Sequence, residues 1–414
     1  MRLVSKEFLR HCLRFFILLN VGWIISACQT LDQALYQPRF IENPAEKGSQ
    51  YPYLTSLSNG SMLMSWVEAQ SDYHVLKFAI YQQERWVHQG KAAEGPGWYV
   101  NWADYPAIVA IDDSFWVAHW RVKSKNGQVY DYDVFFSVSV DAGASWSQPQ
   151  KPYQDATPAG HGFVSVFPAL GGAGIVWLDG REVAKKISDR FSLRYALIHR
   201  DGHVDSDRVI DDNTCTCCWT TSAVSTKGPV VIWRSRRGNE IRDHHLAQFI
   251  EGVWSEPLPA SQEGWSIAGC PVNGPSIAAN GAFLVASWFT AEENRPRVRS
   301  AFADDSSLQF DRVLDIDELK PIGRTSVRWL TDKTAVVIWL TAMDKVTRKA
   351  NIAARTINLD GSLGKIKLLS EISPGRDSGV PQIAKTQTSA LLAWTQTDFP
   401  SGVKVLLIPL KFFD

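Results

Sequence analysis

Arginines, acids and cysteines crowd into a few short segments of this chain. The run WLDGRE at 177–182 sets Asp179, Arg181 and Glu182 within four residues. The run WRSRRGNEIRD at 233–243 holds Arg234, Arg236, Arg237, Glu240, Arg242 and Asp243. Guanidinium groups that converge on one pocket select a carboxylate or another planar anion through paired hydrogen bonds. His161 in GHG, Asn273 in GCPVNGP, Arg324 after Gly323, and Arg376 and Asp377 in GRDSG extend the set. His161, Arg181, Arg242, Asn273, Arg324, Arg376 and Asp377 are the expected binding residues for a small anionic ligand. Asp179, Glu182, Glu240 and Asp243 are the candidate proton-transfer acids. Asp179, Glu182, Glu240 and Asp377 could equally pair the arginines and tie loops together.

Cysteines form the second constellation. Cys215, Cys217 and Cys218 stand in CTCC, and Cys270 stands in GCPVNGP. Four thiols in an oxidising compartment most simply form two disulfides, with three connectivities open. A thiolate metal site, helped by His161, is the alternative, but Cys-x-Cys-Cys is not the spaced pair of a zinc ribbon, so no metal is assigned. The sequence has no HExxH, GxSxG or Walker loop, and no cofactor is expected.

The elements that must hold these groups are strands. Trp66, Trp120, Trp177, Trp233, Trp288, Trp339 and Trp394 each end a short apolar run, at spacings of 54, 57, 56, 55, 51 and 55 residues. Before each run lies a polar turn, such as Ser58-Asn59-Gly60, preceded by another extended segment. After each run come a loop and a third alternating segment. Four antiparallel strands per unit of this length define a β-propeller blade, and seven units predict seven blades. The last unit ends at its third strand, so a strand at Arg39 to Glu42 is expected to close the ring. Residues just before strand 1 and just after the tryptophan then share one face, where all the charged motifs fall.

The chain of 414 residues has 43 basic and 43 acidic side chains, 17 Trp and 28 Gly. Zero net charge excludes a general nucleic-acid-binding surface. Arg2, Lys6, Arg10 and Arg14 precede an apolar run from Phe15 to Ala27, too short to span a bilayer. The sequence predicts a signal peptide at 1–27, a tether and closing strand at 28–49, and one propeller domain at 50–414. Ile-Ser-Ala-Cys at 25–28 resembles the lipobox of bacterial lipoproteins, with Cys28 as the lipidated residue. That implies a monomeric body anchored by lipid at the outer membrane or the periplasmic face. Without 1–27 the net charge becomes −3.

Ser139, Asp141, Gly143 and Trp146 in SVDAGASW resemble the Asp-box of sialidase-type propellers, a folding device remote from any active site. HG, WLDGRE, CTCC, EIRD, GCPVNGP, SWFT and GRDS, spread from His161 toward Trp394, resemble a group of bacterial sialidase-like proteins with BNR/Asp-box repeats. The resemblance implies a glycosidase acting on sialic acid or another acidic sugar, with Arg181, Arg242 and Arg324 as a carboxylate-binding triad. Glu182 or Glu240 would be the base and Asp179 or Asp243 the acid. A non-catalytic binding or assembly module of the envelope and a metal or redox role for the cysteine cluster are the alternatives. The chain departs from sialidases in lacking an Arg-Ile-Pro motif, in having seven repeats rather than six, and in offering no evident Tyr nucleophile. Tyr99 and Tyr105 lie closest to the rim.

Overall fold

The computed structural model describes residues 36–414. The expected signal peptide and Cys28 lie outside them. Twenty-eight strands arrange as seven antiparallel sheets in chain order, the sheets of a seven-bladed β-propeller. Inner strands begin at Gln50, Ala107, His161, Thr221, Ser276, Gly323 and Gln382. Strands two residues in period, with small or β-branched side chains, suit these inner positions because both faces are covered by neighbouring blades. Turn chemistry sets the hairpins. In Ser58-Asn59-Gly60, Asn59 Oδ1 accepts the Ser61 N–H at 2.9 Å and Gly60 takes φ +81°, a conformation glycine adopts without a Cβ clash.

The core is a ring of seven interfaces. Each hydrophobic cluster joins two adjacent blades, for example Val230 and Ile232 of blade 4 with Ile277 and Trp288 of blade 5. The seventh cluster joins Leu54, Met62 and Trp66 of blade 1 to Leu391, Val405 and Leu407 of blade 7. Six of the repeat tryptophans are almost fully buried. In blade 2 the seventh, Trp120, is also buried and stacks on Trp98 at 5.3 Å, while Trp116 is fully buried at the other end of the same strand. A buried indole needs an acceptor for its N–H. Trp66, Trp177, Trp233, Trp288 and Trp339 find one in Glu68, Asp179, Asp211, Glu263 and Asp317, at 2.6–2.8 Å.

Closure follows the expected route. Arg39–Ile41 pairs antiparallel with the last strand, Gly402–Pro409, as the outer strand of blade 7. Four strands per blade does not hold everywhere. In blade 2 the outer strand shrinks to a bridge between Phe136 and Gln150, because Pro149, Pro152 and Pro158 remove the ladder donors from that segment. In blade 4 it splits into Val253–Trp254 and Leu258–Pro259. The Ser139-to-Trp146 turn is held by Asp141, which accepts from the Ser145 N–H at 2.9 Å, while Gly143 takes φ +84°. A Cβ on Gly143 would lie 2.6 Å from both Phe78 and Trp116. Trp146 packs on Phe78 of blade 1, within the cluster that joins blades 1 and 2.

Candidate functional site

The inner strands of all seven blades enclose an axial cavity of roughly 100 Å³, room for several waters or one small anionic group. Hydroxyls from Ser165, Thr221, Ser222, Ser276, Thr325 and Ser326 line its wall. The hydroxyls of Ser165 and Ser222 meet across blades 3 and 4 at 2.9 Å. Tyr53, Tyr105, His119, Arg328 and Gln382 supply the stronger chemistry. Gln382 donates to the Tyr105 hydroxyl at 3.2 Å. Burial raises the pKa of both tyrosines, and burial beside Arg121 pushes His119 down to about 3, so it stands neutral at pH 7.

Arg328 is the cavity's guanidinium. Its one hydrogen bond in the described structure goes to its own neighbour, the Val327 carbonyl, at 2.7 Å. Burial lowers its pKa while Tyr53 works in the opposite sense, and a guanidinium remains charged throughout. Asp104, the only carboxylate on the wall among the described residues, is already engaged. Arg121 binds it at 2.9 Å, and the Phe163 N–H donates to it at 2.5 Å. Burial raises its pKa against those partners.

The mouth above the cavity is aromatic. Trp102 from the turn before blade 2 meets Trp219 from the start of blade 4 edge-on, with centroids 6.3 Å apart. The Arg324 guanidinium lies 4.5 Å over the Trp102 ring. Arg324 is held by the Gly375 and Gly379 carbonyls and the Ser378 hydroxyl at 2.9–3.0 Å, and by the Pro374 carbonyl at 3.2 Å. Burial draws its pKa down to about 10. Its φ of +56° is strained for a side chain of this size, and Asn273 Oδ1 fixes it by accepting the Arg324 N–H at 2.7 Å.

The proposed triad is distributed, not convergent. Arg181 closes a bidentate pair on Asp179, with Nε to Oδ1 at 2.9 Å and Nη2 to Oδ2 at 2.6 Å, and reaches Asp207 at 3.2 Å. Arg242 pairs with Glu240, which also accepts from Arg236 at 2.8–3.0 Å. Arg324 binds backbone carbonyls. The three share no hydrogen-bond partner, so they form no single carboxylate clamp in this structure.

The expected acids have structural occupations as well. Asp179 is fully buried and takes its place in the series of tryptophan acceptors. Burial would raise its pKa, yet His161 and the hydrogen bonds of Arg181 hold it below the usual range. Asp243 accepts the N–H groups of Gly264 and Trp265 at 2.7 and 3.1 Å. Glu182 lies in the single helical turn Arg181–Ala184, 3.6 Å from Arg194. His161 stacks on Tyr153 at 4.6 Å and faces Asp179 at 3.5 Å, so it joins the blade 3 network and not the cysteines. Asn273 donates to the Ile322 carbonyl at 3.0 Å, stitching blade 5 to blade 6. Arg376 and Asp377 are exposed on a short 3-10 turn.

Cysteines depart from the two-disulfide expectation. All four are unbonded thiols. Cys215, Cys217 and Cys218 gather together, and Cys270 is exposed outside their cluster. Hydrogen bonds from Cys217 and Cys218, with Arg234 beyond them, lower the Cys215 thiol well below its ordinary value. The residues that sequence reasoning missed are Tyr53, His119, Arg328 and Gln382 inside the cavity and the Trp102–Trp219 pair at its mouth. Their signal was the innermost-strand position shared by Tyr53, Arg328 and Gln382.

No protein-family model matches the sequence, and no curated protein matches it. Solved structures do. A polysaccharide lyase, an ulvan lyase bound to -[GlcA(1-4)Rha3S]-, is similar with a TM-score of 0.58 at 12% identity, covering 90% of this chain and 96% of that one. A second polysaccharide lyase has a TM-score of 0.52 at 7% identity, over 87% and 90%. A Hadza microbial sialidase reaches 0.43 at 12% identity over 75% of this chain, which spans 66% of that protein, slightly under two thirds. The chain is thus an all-β, seven-bladed propeller, and at these identities the likeness is one of fold.

Proposed function

We propose that the protein is a lipid-anchored propeller of the bacterial envelope that binds an acidic sugar, a sialic acid or a uronate, at the axial mouth. The observation that carries this is Arg328, a cation facing a small polar cavity without a carboxylate partner. A charge so placed favours an anionic group, which the neighbouring Tyr53, Tyr105 and Gln382 can complete with hydrogen bonds. The cavity is sized for a carboxylate and not for a whole ring, so the sugar itself would rest against Trp102 and Trp219. The carbohydrate bound by the similarly folded ulvan lyase supports the substrate class.

Binding is the leading mode because hydrolysis by the two-carboxylate route needs a pair of acids, and Asp104 is the cavity's single one. A second reading, elimination at a uronate, has its own observation. The proton-transfer groups facing the cavity are a neutral His119 and two tyrosines beside Arg328. A cation that neutralises the carboxylate eases removal of the adjacent proton, and a neutral base can take it.

Calorimetry of the purified protein with sialosides and uronate oligomers, alongside product analysis, tests these readings. Binding that Arg328→Gln weakens by about 2–3 kcal/mol is the expected result, in line with loss of a charge-assisted contact. Unsaturated product would establish elimination, and hydrolysed product a glycosidase. No binding across the panel would overturn the proposal. For the anchor, Cys28→Ser should release the body into the soluble fraction, and unchanged membrane retention would refute it.

A further inference from the structure

One loop gathers three thiols beside two buried cations. Cys215, Cys217 and Cys218 follow directly on Thr214, the end of the outer strand of blade 3, and lead into the inner strand of blade 4. The Cys215 sulfur lies 3.7 Å from that of Cys217 and 3.6 Å from that of Cys218, and all three are within 4.8 Å of one another. Sulfurs joined in a disulfide stand about 2.0 Å apart. Sulfurs around one tetrahedral ion at about 2.3 Å stand roughly 3.8 Å apart. The observed spacing is close to the second arrangement, so an ion could be accepted with little backbone movement. Cys215 and Cys218 are buried, while Cys217 is half-buried and gives access from outside.

The surroundings supply an independent observation. Arg234 is 1% exposed and has no carboxylate in ion-pair contact among the described residues. It donates instead to the carbonyls of Asn273, Phe289 and Arg242, with Trp265 5.0 Å from the guanidinium. Glu240, its nearest acid in sequence, is taken up by Arg236 and Arg242, and Asp243 gives both oxygens to backbone N–H groups. A buried cation without a counter-ion is expensive. The sulfurs are the remaining groups nearby that can become anionic, and Arg242 lies near enough to the Cys215 sulfur for their charges to interact. Three thiolates around a cation carry net negative charge, which these two guanidinium groups would balance.

We infer that Cys215, Cys217 and Cys218 form a mononuclear site for a soft, thiophilic cation, Zn²⁺ or Cu(I), with Arg234 and Arg242 as its charge-balancing neighbours and a fourth coordination position left to solvent or ligand. Thiolate ligands select these ions over harder ones. Binding forms three metal–sulfur bonds and releases the thiol protons to solvent. Cys270 has no part in it.

The test uses the whole mature chain, purified anaerobically under reductant and titrated with Zn²⁺ or Cu(I) against a chromogenic chelator. One ion per chain is expected for one of the two. Cys217→Ser should weaken binding by about a hundredfold or more, beyond the roughly 10–100-fold that outer partners are worth. Cys270→Ser should bind as the parent does. Circular dichroism of each variant separates lost ligation from lost folding, and a sulfur-to-cobalt charge-transfer band on Co²⁺ loading of the parent protein would support thiolate ligation without any variant. Substoichiometric metal for both ions, unaltered binding in Cys217→Ser, or a disulfide within the cluster in protein taken unreduced from its compartment would each overturn the assignment.

Discussion

Blades 3 and 4 both present arginine-rich ends to the same face, yet they neutralise that charge in opposite ways. In blade 3, Arg181 and Arg194 face Asp179 and Asp207, so cations and anions are matched at 2.6–3.2 Å. In blade 4, the most deeply buried arginine, Arg234, faces carbonyl dipoles and sulfurs. Matched charges are complete in themselves and tie a loop down. A cation supported by dipoles alone leaves room for an anion that the fold does not supply, and chemistry is to be sought there. Sequence treats the two ends alike, since both read as arginines interleaved with acids.

Breaking blade 3 should produce the largest effect. Asp179→Ala removes the shared acceptor of Trp177 and Arg181, which His161 also faces, and should destabilise the protein by about 3–5 kcal/mol, as loss of one partner of a buried pair does. Thermal unfolding checks this, and a loss below about 1 kcal/mol would mean the network is dispensable. The same carboxyl predicts an acid limb. Its pKa is lower folded than unfolded, so its stabilisation is full above the unfolded value near ~4 and fades as pH falls through the folded one. Asp179→Ala should flatten that limb in urea titrations run at descending pH.

Blade 4 should respond less. Arg234→Met keeps the bulk and removes the charge, and because neutral carbonyls alone lose a donor, about 1–3 kcal/mol is expected in the reduced, metal-free protein. A loss as large as that of Asp179→Ala would erase the contrast between the blades. Arg324→Ala, which frees four oxygens and keeps the strained φ because alanine retains the Cβ, should fall near 1–2 kcal/mol. Arg376→Ala marks the bottom of the scale. That exposed side chain should change stability by no more than about 0.5 kcal/mol and leave acidic-sugar binding as it was.

The ring was legible because each blade needs the same thing at the same place, a large apolar residue ending its second strand, and Trp177, Trp233, Trp288 and Trp339 repeat it at a nearly constant interval. The missing donors of Pro149, Pro152 and Pro158 were legible too, although their consequence for blade 2 is seen only once the sheet is built. The site was harder to read. Asp179 and Arg181 stand two residues apart and satisfy each other, which composition cannot distinguish from two groups waiting for substrate. Arg328 sits among Thr325, Ser326 and Val327 in an ordinary strand, and only closure of the ring turns that strand's inner face into a cavity wall. Partners contributed by other blades, such as the Gly379 carbonyl for Arg324, are 55 residues away in sequence and leave no local trace.

Arg39–Ile41 gives the molecule a mechanical property. Whatever lies upstream of residue 36 reaches the body by way of three residues paired with Val405, Leu406 and Leu407, so a pull on that end is borne early by a ladder of only three pairs. Peeling it away would bare the edge of Gly402–Pro409, whose run Val403-Lys-Val-Leu-Leu-Ile408 holds a single charge. Unprotected edges of that composition recruit strands from other chains, so the closing strand doubles as a guard against self-association whenever the protein is under load.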